Sequence, residues 1–155
     1  KYLEKELIKK GANVILTRNG DYDLSSPNSY RRKKSDFDNR IKIINNSSAS
    51  MYVSIHLNYL EQASYYGPQV FYNNINNNNK KIANNMQNIL NKKLKTNRKV
   101  KLIPEDTYMY SRLNVPGVLV ECGFLSNYNE KTKLMSKEYQ QKIAKYISEG
   151  IVLSI

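Results

Sequence analysis

The chain has 155 residues, of which 40% are hydrophobic and 25% are charged, so we expect one globular domain with a core of its own. No apolar run approaches the roughly 20 residues that a membrane-spanning helix needs, and the single cysteine, Cys122, excludes an intramolecular disulfide and a thiolate zinc site. The formal net charge of +12 favours polyanionic partners, namely nucleic acid, anionic lipid or cell-wall polymers, without choosing among them.

The chain begins with a helical pattern that is followed by an extended one. Leu3, Leu7 and Ile8 share one helical face, and Gly11 can end that helix in a left-handed conformation. Residues 13–18 (Asn-Val-Ile-Leu-Thr-Arg) predict a buried strand, and this helix-to-strand step is typical of α/β folds. The turn-forming residues that come next predict a loop.

The middle of the chain predicts a helix and two strands. A capping-box pattern at residues 35–38 opens a helix whose apolar residues repeat at helical spacing. Residues 51–56 are a β-rich apolar run that ends at His56, and residues 69–72 (Gln-Val-Phe-Tyr) predict a further strand. The Asn-rich segment at residues 73–79 has low complexity and predicts an exposed loop.

The last part of the chain predicts two long helices with short strands between them. The first of these helices carries an apolar stripe made of Ile82, Met86, Ile89, Leu90 and Leu94. Residues 99–103 predict a short strand, residues 118–120 an apolar strand that ends at Glu121, and Ser136 can cap the last helix. This alternation predicts an α/β domain with a mostly parallel, twisted sheet and helices on both faces.

Two of the predicted strands end at residues that suit hydrolytic chemistry. His56 is the only histidine of the chain, and Glu121 follows the second apolar strand directly. Ligands of open α/β sheets bind beyond the carboxyl ends of the strands, so we expect both side chains in one cleft. Imidazole suits zinc, and a carboxylate suits a general base. Taken alone, however, a single histidine is more often structural, and an acid at a strand end is often a helix cap.

The segments around these two residues resemble a known family. Ser-Ile-His-Leu-Asn at residues 54–58 and Val-Glu-Cys-Gly-Phe-Leu-Ser-Asn at residues 120–127 are similar to motifs of zinc-dependent N-acetylmuramoyl-L-alanine amidases of the amidase-3 type. Further matches lie, in family order, at residues 17–18, 36–41, 67–72 and 139–151. The resemblance thus spans nearly the whole chain.

The resemblance implies an enzyme that hydrolyses the amide between N-acetylmuramic acid and L-alanine in peptidoglycan. It implies Zn²⁺ as the cofactor, Glu121 as the catalytic base and His56 as one zinc ligand. The basic insertion at residues 31–36 resembles the sporulation branch of the family, which acts in spore cortex maturation. That branch implies an extracytoplasmic location, in the cell wall or the forespore intermembrane space.

The chain departs from the family at its first residues. The usual opening, a strand that leads into Asp-Pro-Gly-His-Gly-Gly, is absent, and residues 1–10 resemble the middle of the helix that follows it. Two family zinc ligands, a His and a Glu, are therefore unmatched. We expect residues 1–155 to be an N-terminally incomplete amidase domain, with the first strand missing and the native protein extending upstream.

Three further polar residues are candidates for substrate binding. Asn58 and Asn127 follow strands inside the two motifs, although asparagine in that position is also ordinary turn chemistry. Arg112 can bind a peptide carboxylate with two hydrogen bonds or form a surface ion pair. Cys122 can be a thiol nucleophile, but a small residue just after a strand is more often simply buried.

Two other functions remain open from the sequence. The unmatched zinc ligands are compatible with a domain that binds peptidoglycan without cleaving it. The positive charge and the abundant tyrosines are compatible with nucleic-acid binding, although no RRM, KH or helix-turn-helix pattern is found. The expected partner is the glycan-peptide substrate, with no nucleic acid, no membrane span in this chain, and any protein partner left open.

Overall fold

The computed structural model describes residues 1–155, which form five α-helices, one 3₁₀ helix and one sheet. The helices are α1 (Tyr2–Ile8), α2 (Arg32–Asn45), α3 (Asn79–Leu94), α4 (Tyr128–Met135) and α5 (Lys137–Val152). The strands are β1 (Tyr52–Asn58), β2 (Gln69–Tyr72), β3 (Lys101–Leu102) and β4 (Gly117–Phe124), and the 3₁₀ helix spans Tyr110–Arg112. None of the helices is both long enough and apolar enough to cross a membrane.

The four strands form a mixed sheet in the order β1-β4-β2-β3. β1 pairs with β4 in parallel and β2 pairs with β3 in parallel, whereas β2 and β4 are antiparallel. The predicted α/β fold with a mostly parallel sheet is therefore confirmed. The last predicted strand is longer than expected, because β4 continues past Glu121 to Phe124.

Helices cover both faces of the sheet, as predicted. On one face, α1, α3, α4 and α5 enclose a cluster of 13 buried residues that includes Val70, Val120 and Met86. On the other face, a cluster of 6 buried residues that includes Tyr52 and Leu119 packs against apolar residues of α2. Burial of the α3 and α5 stripes explains why their helical periodicity was readable in the sequence.

The Asn-rich segment before α3 is exposed at residues 74, 75, 77 and 78, as expected, but its two ends are buried. Asn73 and Asn79 are buried at 5% and 1% exposure. Asn79 Oδ1 accepts a hydrogen bond of 2.7 Å from Gly117 N, and Asn79 Nδ2 donates to Asn73 Oδ1 at 2.8 Å. Asn73 Nδ2 in turn donates to Tyr110 O at 2.8 Å. Two side-chain amides thus join the start of α3, the start of β4 and the 3₁₀ helix.

Two local predictions are wrong. Residues 13–18 form no strand, and Ile15 and Leu16 are 51% and 38% exposed. A strand needs the backbone groups of a neighbour, and no strand of the sheet pairs with this segment. The capping box at residues 35–38 also fails, because α2 already begins at Arg32 and Ser35 Oγ accepts a hydrogen bond from Ser26 N instead.

Candidate active site

His56 and Glu121 lie side by side in the sheet. The parallel register of β1 and β4 pairs the Cα atoms of Tyr52 with Gly117 and those of His56 with Glu121. Residues paired in this way on neighbouring strands point to the same face of the sheet. The structure therefore brings the two sequence-predicted residues together near the carboxyl ends of two parallel strands.

The Glu121 carboxyl group is poorly solvated and has no partner within the chain. Its Oε2 atom is buried and accepts no hydrogen bond. Burial raises the pKa of Glu121 to about 7, because the charged form loses hydration without gaining a counter-ion. A carboxyl group with a pKa near neutrality can take up a proton and return it at physiological pH, which is the property of a general base.

The His56 ring contacts two hydroxyl groups through one nitrogen. His56 Nε2 lies 2.8 Å from Ser54 Oγ and 3.2 Å from the hydroxyl of Tyr110, and these two oxygens are 3.1 Å apart. The ring is partly open to solvent, but its bonded side is shielded. This desolvation, together with the positive charge of Arg40, lowers the pKa of His56. The imidazole is therefore neutral at pH 7, the form that binds metals.

The positive charge that acts on His56 belongs to Arg40, which forms a partly buried ion pair with Asp36. Arg40 donates to both oxygens of Asp36, with Nε to Oδ2 at 2.8 Å and Nη2 to Oδ1 at 3.0 Å. Asp36 Oδ1 also accepts a hydrogen bond of 2.8 Å from Leu24 N. These bonds, Arg40 first among them, lower the pKa of Asp36, so the pair stays charged. The bond from Leu24 N to Asp36 connects helix α2 to the loop that precedes it in the chain, next to the site.

Sequence reasoning did not identify two contacts of the site. Ser54 lies inside the His56 motif, and its alternation with His56 along β1 was a signal that both face the same side. Tyr110 gave no signal, since it is one of 13 tyrosines and lies outside both motifs. Burial raises the pKa of Tyr110, and the nearby charge of Glu121 adds to this effect, so its hydroxyl remains protonated.

The three proposed substrate-binding residues have different surroundings. Asn58 ends β1, and its side chain makes no hydrogen bond within the chain. Asn127 Oδ1 accepts from Glu130 N at 3.1 Å and its Nδ2 donates to Ala63 O at 2.9 Å, so this amide caps α4 and holds a loop. Arg112 lies 4.0 Å from the ring centroid of Tyr108 and donates to the carbonyl of Tyr108 at 2.8 Å. None of these contacts involves His56 or Glu121.

Cys122 faces away from the candidate site. Its side chain is 4% exposed and belongs to the core cluster on the opposite face of the sheet. Burial, and to a smaller extent the charge of Glu121, raises the pKa of the thiol to about 12. A thiol that stays protonated is a poor nucleophile, so the side chain acts as a small apolar core residue.

Residues 1–155 do not bring together a full set of zinc ligands. No group of three or more His, Cys, Asp or Glu side chains converges on one point. A catalytic zinc ion needs three protein ligands, and His56 is the one nitrogen donor of the site. The donor set of this structure therefore does not fit a catalytic zinc ion.

Comparison with known proteins gives consistent similarities. The model of the Amidase_3 family, N-acetylmuramoyl-L-alanine amidase, matches residues 1–152. The chain is 41% identical over 150 residues to the germination-specific N-acetylmuramoyl-L-alanine amidase of Bacillus subtilis, a match that covers 94% of this chain. That match spans 63% of the length of the Bacillus protein.

Two solved structures share the fold at useful sequence identity. The CwlD amidase from Clostridioides difficile, solved in complex with the GerS lipoprotein, has a TM-score of 0.92 and 39% identity, covering 99% of this chain and 80% of that chain. The catalytic domain of CwlV, an N-acetylmuramoyl-L-alanine amidase from Bacillus (Paenibacillus) polymyxa var. colistinus, has a TM-score of 0.81 and 26% identity, covering 98% of this chain and 78% of that chain.

Proposed function

Because this chain belongs to the N-acetylmuramoyl-L-alanine amidase family, we propose that residues 1–155 belong to the catalytic domain of an enzyme that cleaves the amide between N-acetylmuramic acid and L-alanine in peptidoglycan. The observation that carries the proposal is the pairing of His56 with an uncompensated Glu121 on adjacent strands. The substrate is an anionic glycan-peptide polymer, which suits the net charge of +12.

In this proposal Glu121 moves the proton during hydrolysis. Its carboxylate accepts a proton from the attacking water, and the resulting carboxylic acid gives the proton to the leaving nitrogen of L-alanine. Oε2 is shielded from solvent, whereas Oε1 makes no hydrogen bond within the chain and is not among the shielded unbonded atoms, so Oε1 is the oxygen that can receive the proton. Tyr110 and Ser54 fix the orientation of the His56 ring through Nε2.

Zinc dependence is a finer part of the proposal and rests on the imidazole of His56 together with family membership. Because the donor set of residues 1–155 does not fit the ion, we derive no step of the reaction through it. Zinc binding is measured directly, by calorimetry on the chain and on His56→Ala. Equal zinc affinity of the two proteins would remove His56 from the ligand set.

Among the substrate-binding candidates, Asn58 is the best placed. Its amide is uncommitted and follows His56 by two residues on β1, near the proposed reaction centre. Asn127 and Arg112 use their polar groups in bonds within the chain, so we propose that each contributes by holding its loop or, for Arg112, by binding substrate at some distance from Glu121.

A role in spore cortex maturation is proposed from the relatives. The Bacillus subtilis relative is a germination-specific amidase, and the CwlD amidase was solved in complex with a lipoprotein. By the same likeness we propose that this chain acts outside the cytoplasmic membrane on cortex peptidoglycan, and that a lipoprotein is its candidate protein partner.

The test is digestion of purified peptidoglycan in the presence of zinc, with mass spectrometry of the released peptides. We expect peptides that begin with L-alanine from the unaltered chain and none from Glu121→Gln. A second function, peptidoglycan binding without cleavage, is favoured by the lack of three converging metal ligands. Co-sedimentation with peptidoglycan that is equal for both proteins, with no released peptide from either, would establish that second function.

A further inference from the structure

Arg98 forms a hydrogen bond with Gln69, the residue that lies beside Glu121 in the sheet. Gln69 on β2 is the antiparallel register partner of Glu121 on β4. Arg98 Nη2 donates to Gln69 Oε1 at 2.6 Å, and Gln69 Nε2 donates to the carbonyl of Lys99 at 2.8 Å. Glu121 therefore has His56 on one neighbouring strand and, through Gln69, the guanidinium group of Arg98 beyond the other.

Two aromatic rings hold the guanidinium group of Arg98 in place. Its Cζ atom lies 5.1 Å from the ring centroid of Phe124 and 5.4 Å from that of Tyr65, and the two rings are 5.8 Å apart in a stacked arrangement. Cations are attracted to aromatic faces, and the planar guanidinium group loses little further entropy when it binds a ligand. Phe124 is the register partner of Asn58, so the stack adjoins the end of β1.

Arg98 is partly shielded from solvent but forms no ion pair with an acidic side chain. None of the six ion pairs of the structure includes it, whereas Arg40, on the other side of the site, is paired with Asp36. Its Nε atom is buried and makes no hydrogen bond. A shielded cation without a counter-ion is costly, and an anion from outside the chain would offset that cost.

The guanidinium group keeps N–H groups for such an anion. Each terminal nitrogen of arginine carries two N–H groups. The bond to Gln69 uses one N–H of Nη2, while Nη1 makes no hydrogen bond within the chain and is not among the shielded unbonded atoms. Nη1 and the second N–H of Nη2 therefore remain to donate to the two oxygens of a carboxylate.

The surrounding sequence favours an anionic ligand on this side of the site. Residues 62–104 contain no Asp or Glu, and they carry eight basic residues, namely Lys80, Lys81, Lys92, Lys93, Lys95, Arg98, Lys99 and Lys101. No acidic side chain of this segment can therefore compete for Arg98. The segment also gives this part of the molecule a positive field that attracts acidic ligands.

We propose that Arg98 binds a carboxylate of the peptide leaving group and thereby selects acidic stem peptides over neutral ones. The inference rests on the proposed amidase function, because it assigns the ligand to the peptide side of the scissile amide. Arg98 acts as a specificity-determining residue and takes no part in proton transfer. The rings of Phe124 and Tyr65 and the side chain of Gln69 fix the position of the Arg98 guanidinium group relative to Glu121.

The test compares two synthetic muropeptides that differ only in whether the side-chain and terminal carboxylates of the stem peptide are free or amidated. For the unaltered chain we expect higher kcat/KM on the free acid. Arg98→Gln should lower kcat/KM on the free acid by roughly 10- to 100-fold, the usual effect of a lost hydrogen bond to a charged group. It should change kcat/KM on the amidated substrate by less than about threefold. Lys92→Gln, which removes one exposed charge of the same segment, is the matched control.

A binding measurement separates this inference from the amidase proposal. The free acidic peptide beginning with L-alanine is titrated into the unaltered chain, Arg98→Gln and Arg98→Lys, with chemical shifts of Gln69 and Tyr65 as the signal. We expect binding to weaken in both variants, because lysine lacks the planar fork. Absence of hydrolysis by the unaltered chain together with Arg98-dependent binding would defeat only the amidase proposal.

Other outcomes would overturn the role of Arg98. One is an equal kcat/KM of the unaltered chain on the two muropeptides, a comparison that can be made without any variant. Another is an equal loss on both substrates in Arg98→Gln accompanied by a lower Tm, which would show that Arg98 only holds the loop that contains Tyr65. Where Arg98→Gln does not fold, Arg98→Lys and the unaltered chain still decide the question.

Discussion

Glu121 lies directly opposite His56 across the parallel pairing of β4 with β1. Strand β4 is an interior strand, so Glu121 is flanked by β1 on one side and by β2 on the other. Both residues therefore take their positions from backbone hydrogen bonds of the sheet and not from loops. A site built on strands keeps its geometry, which holds the Glu121 carboxyl group next to the His56 imidazole.

Replacement of Glu121 by Gln tests the proton-transfer role. The amide cannot accept the proton of the attacking water, so we expect hydrolysis to fall by about 10²- to 10⁴-fold with the fold retained. Peptide release is measured by mass spectrometry and the fold by circular dichroism. Glu138→Gln, on the exposed start of α5, is the control and should keep full activity. Substantial cleavage by the Glu121 variant would show that another group is the base.

The same substitution should change how stability depends on pH. The pKa of Glu121 is about 7 in the folded protein, above its ordinary value of 4.5. The folded state therefore binds this proton more tightly than the unfolded state, and the stability contributed by the protonated group is lost as pH rises from about 4.5 to 7. In a chelator-treated sample, Glu121→Gln should be more stable than the unaltered chain at pH 8, by on the order of 2 kcal/mol once the screening that partial exposure allows is taken into account.

That stability difference should disappear at low pH. At pH 4.5 folded Glu121 is protonated and unfolded Glu121 is about half protonated, so the Tm values of the two proteins should nearly coincide. Thermal unfolding followed at pH 4.5, 6 and 8 provides the comparison. A difference in Tm that is the same at all three pH values would mean that the substitution acts through packing and not through the buried charge.

Replacement of Tyr110 by Phe tests the orientation of His56. The change removes the hydroxyl that contacts His56 Nε2 and Ser54 Oγ and keeps the ring, which stacks on Tyr52 at 6.4 Å between centroids. We expect kcat to fall by roughly fivefold, since one hydrogen bond is worth about 1 kcal/mol. Tyr30→Phe, at a fully exposed ring, should have no effect. Unchanged kcat in Tyr110→Phe would show that Ser54 alone orients the ring.

Replacement of Asn79 by Ala tests the buried side-chain amides of Asn73 and Asn79, which connect the start of α3 to the start of β4. The change leaves the Gly117 N–H and the Asn73 Oδ1 atom without their partners in a dry environment. We expect a loss of about 2 to 3 kcal/mol in the free energy of unfolding, measured by urea denaturation. Asn77→Ala is the control. It changes an exposed residue that takes no part in this hydrogen-bond network, and it should shift the free energy of unfolding by under about 0.5 kcal/mol. Similar losses in the two variants would contradict a special role for Asn79.

Elements with a strong hydrophobic period were predictable from the sequence. The stripes of α3 and α5 each depend on residues of one segment facing the core, and β1 and β2 were predicted from β-rich runs, β2 with its observed bounds. His56 and Glu121 were identified because each follows such a run inside a motif. Their adjacency depended on β1 and β4 pairing, which the parallel α/β pattern implied.

Features that depend on partners distant in the chain were decided only by the tertiary structure. Residues 13–18 have the composition of a strand but pair with no strand of the sheet. Ser35 lies inside α2, where its hydroxyl accepts a hydrogen bond from the backbone amide of Ser26, nine residues earlier. Asn73 and Asn79 look the same in sequence as the exposed asparagines between them; their burial follows from the amide and carbonyl groups that β4 and the 3₁₀ helix present to them. The stack around Arg98 likewise joins residues from three segments, because a cation–aromatic contact leaves no local pattern in the sequence.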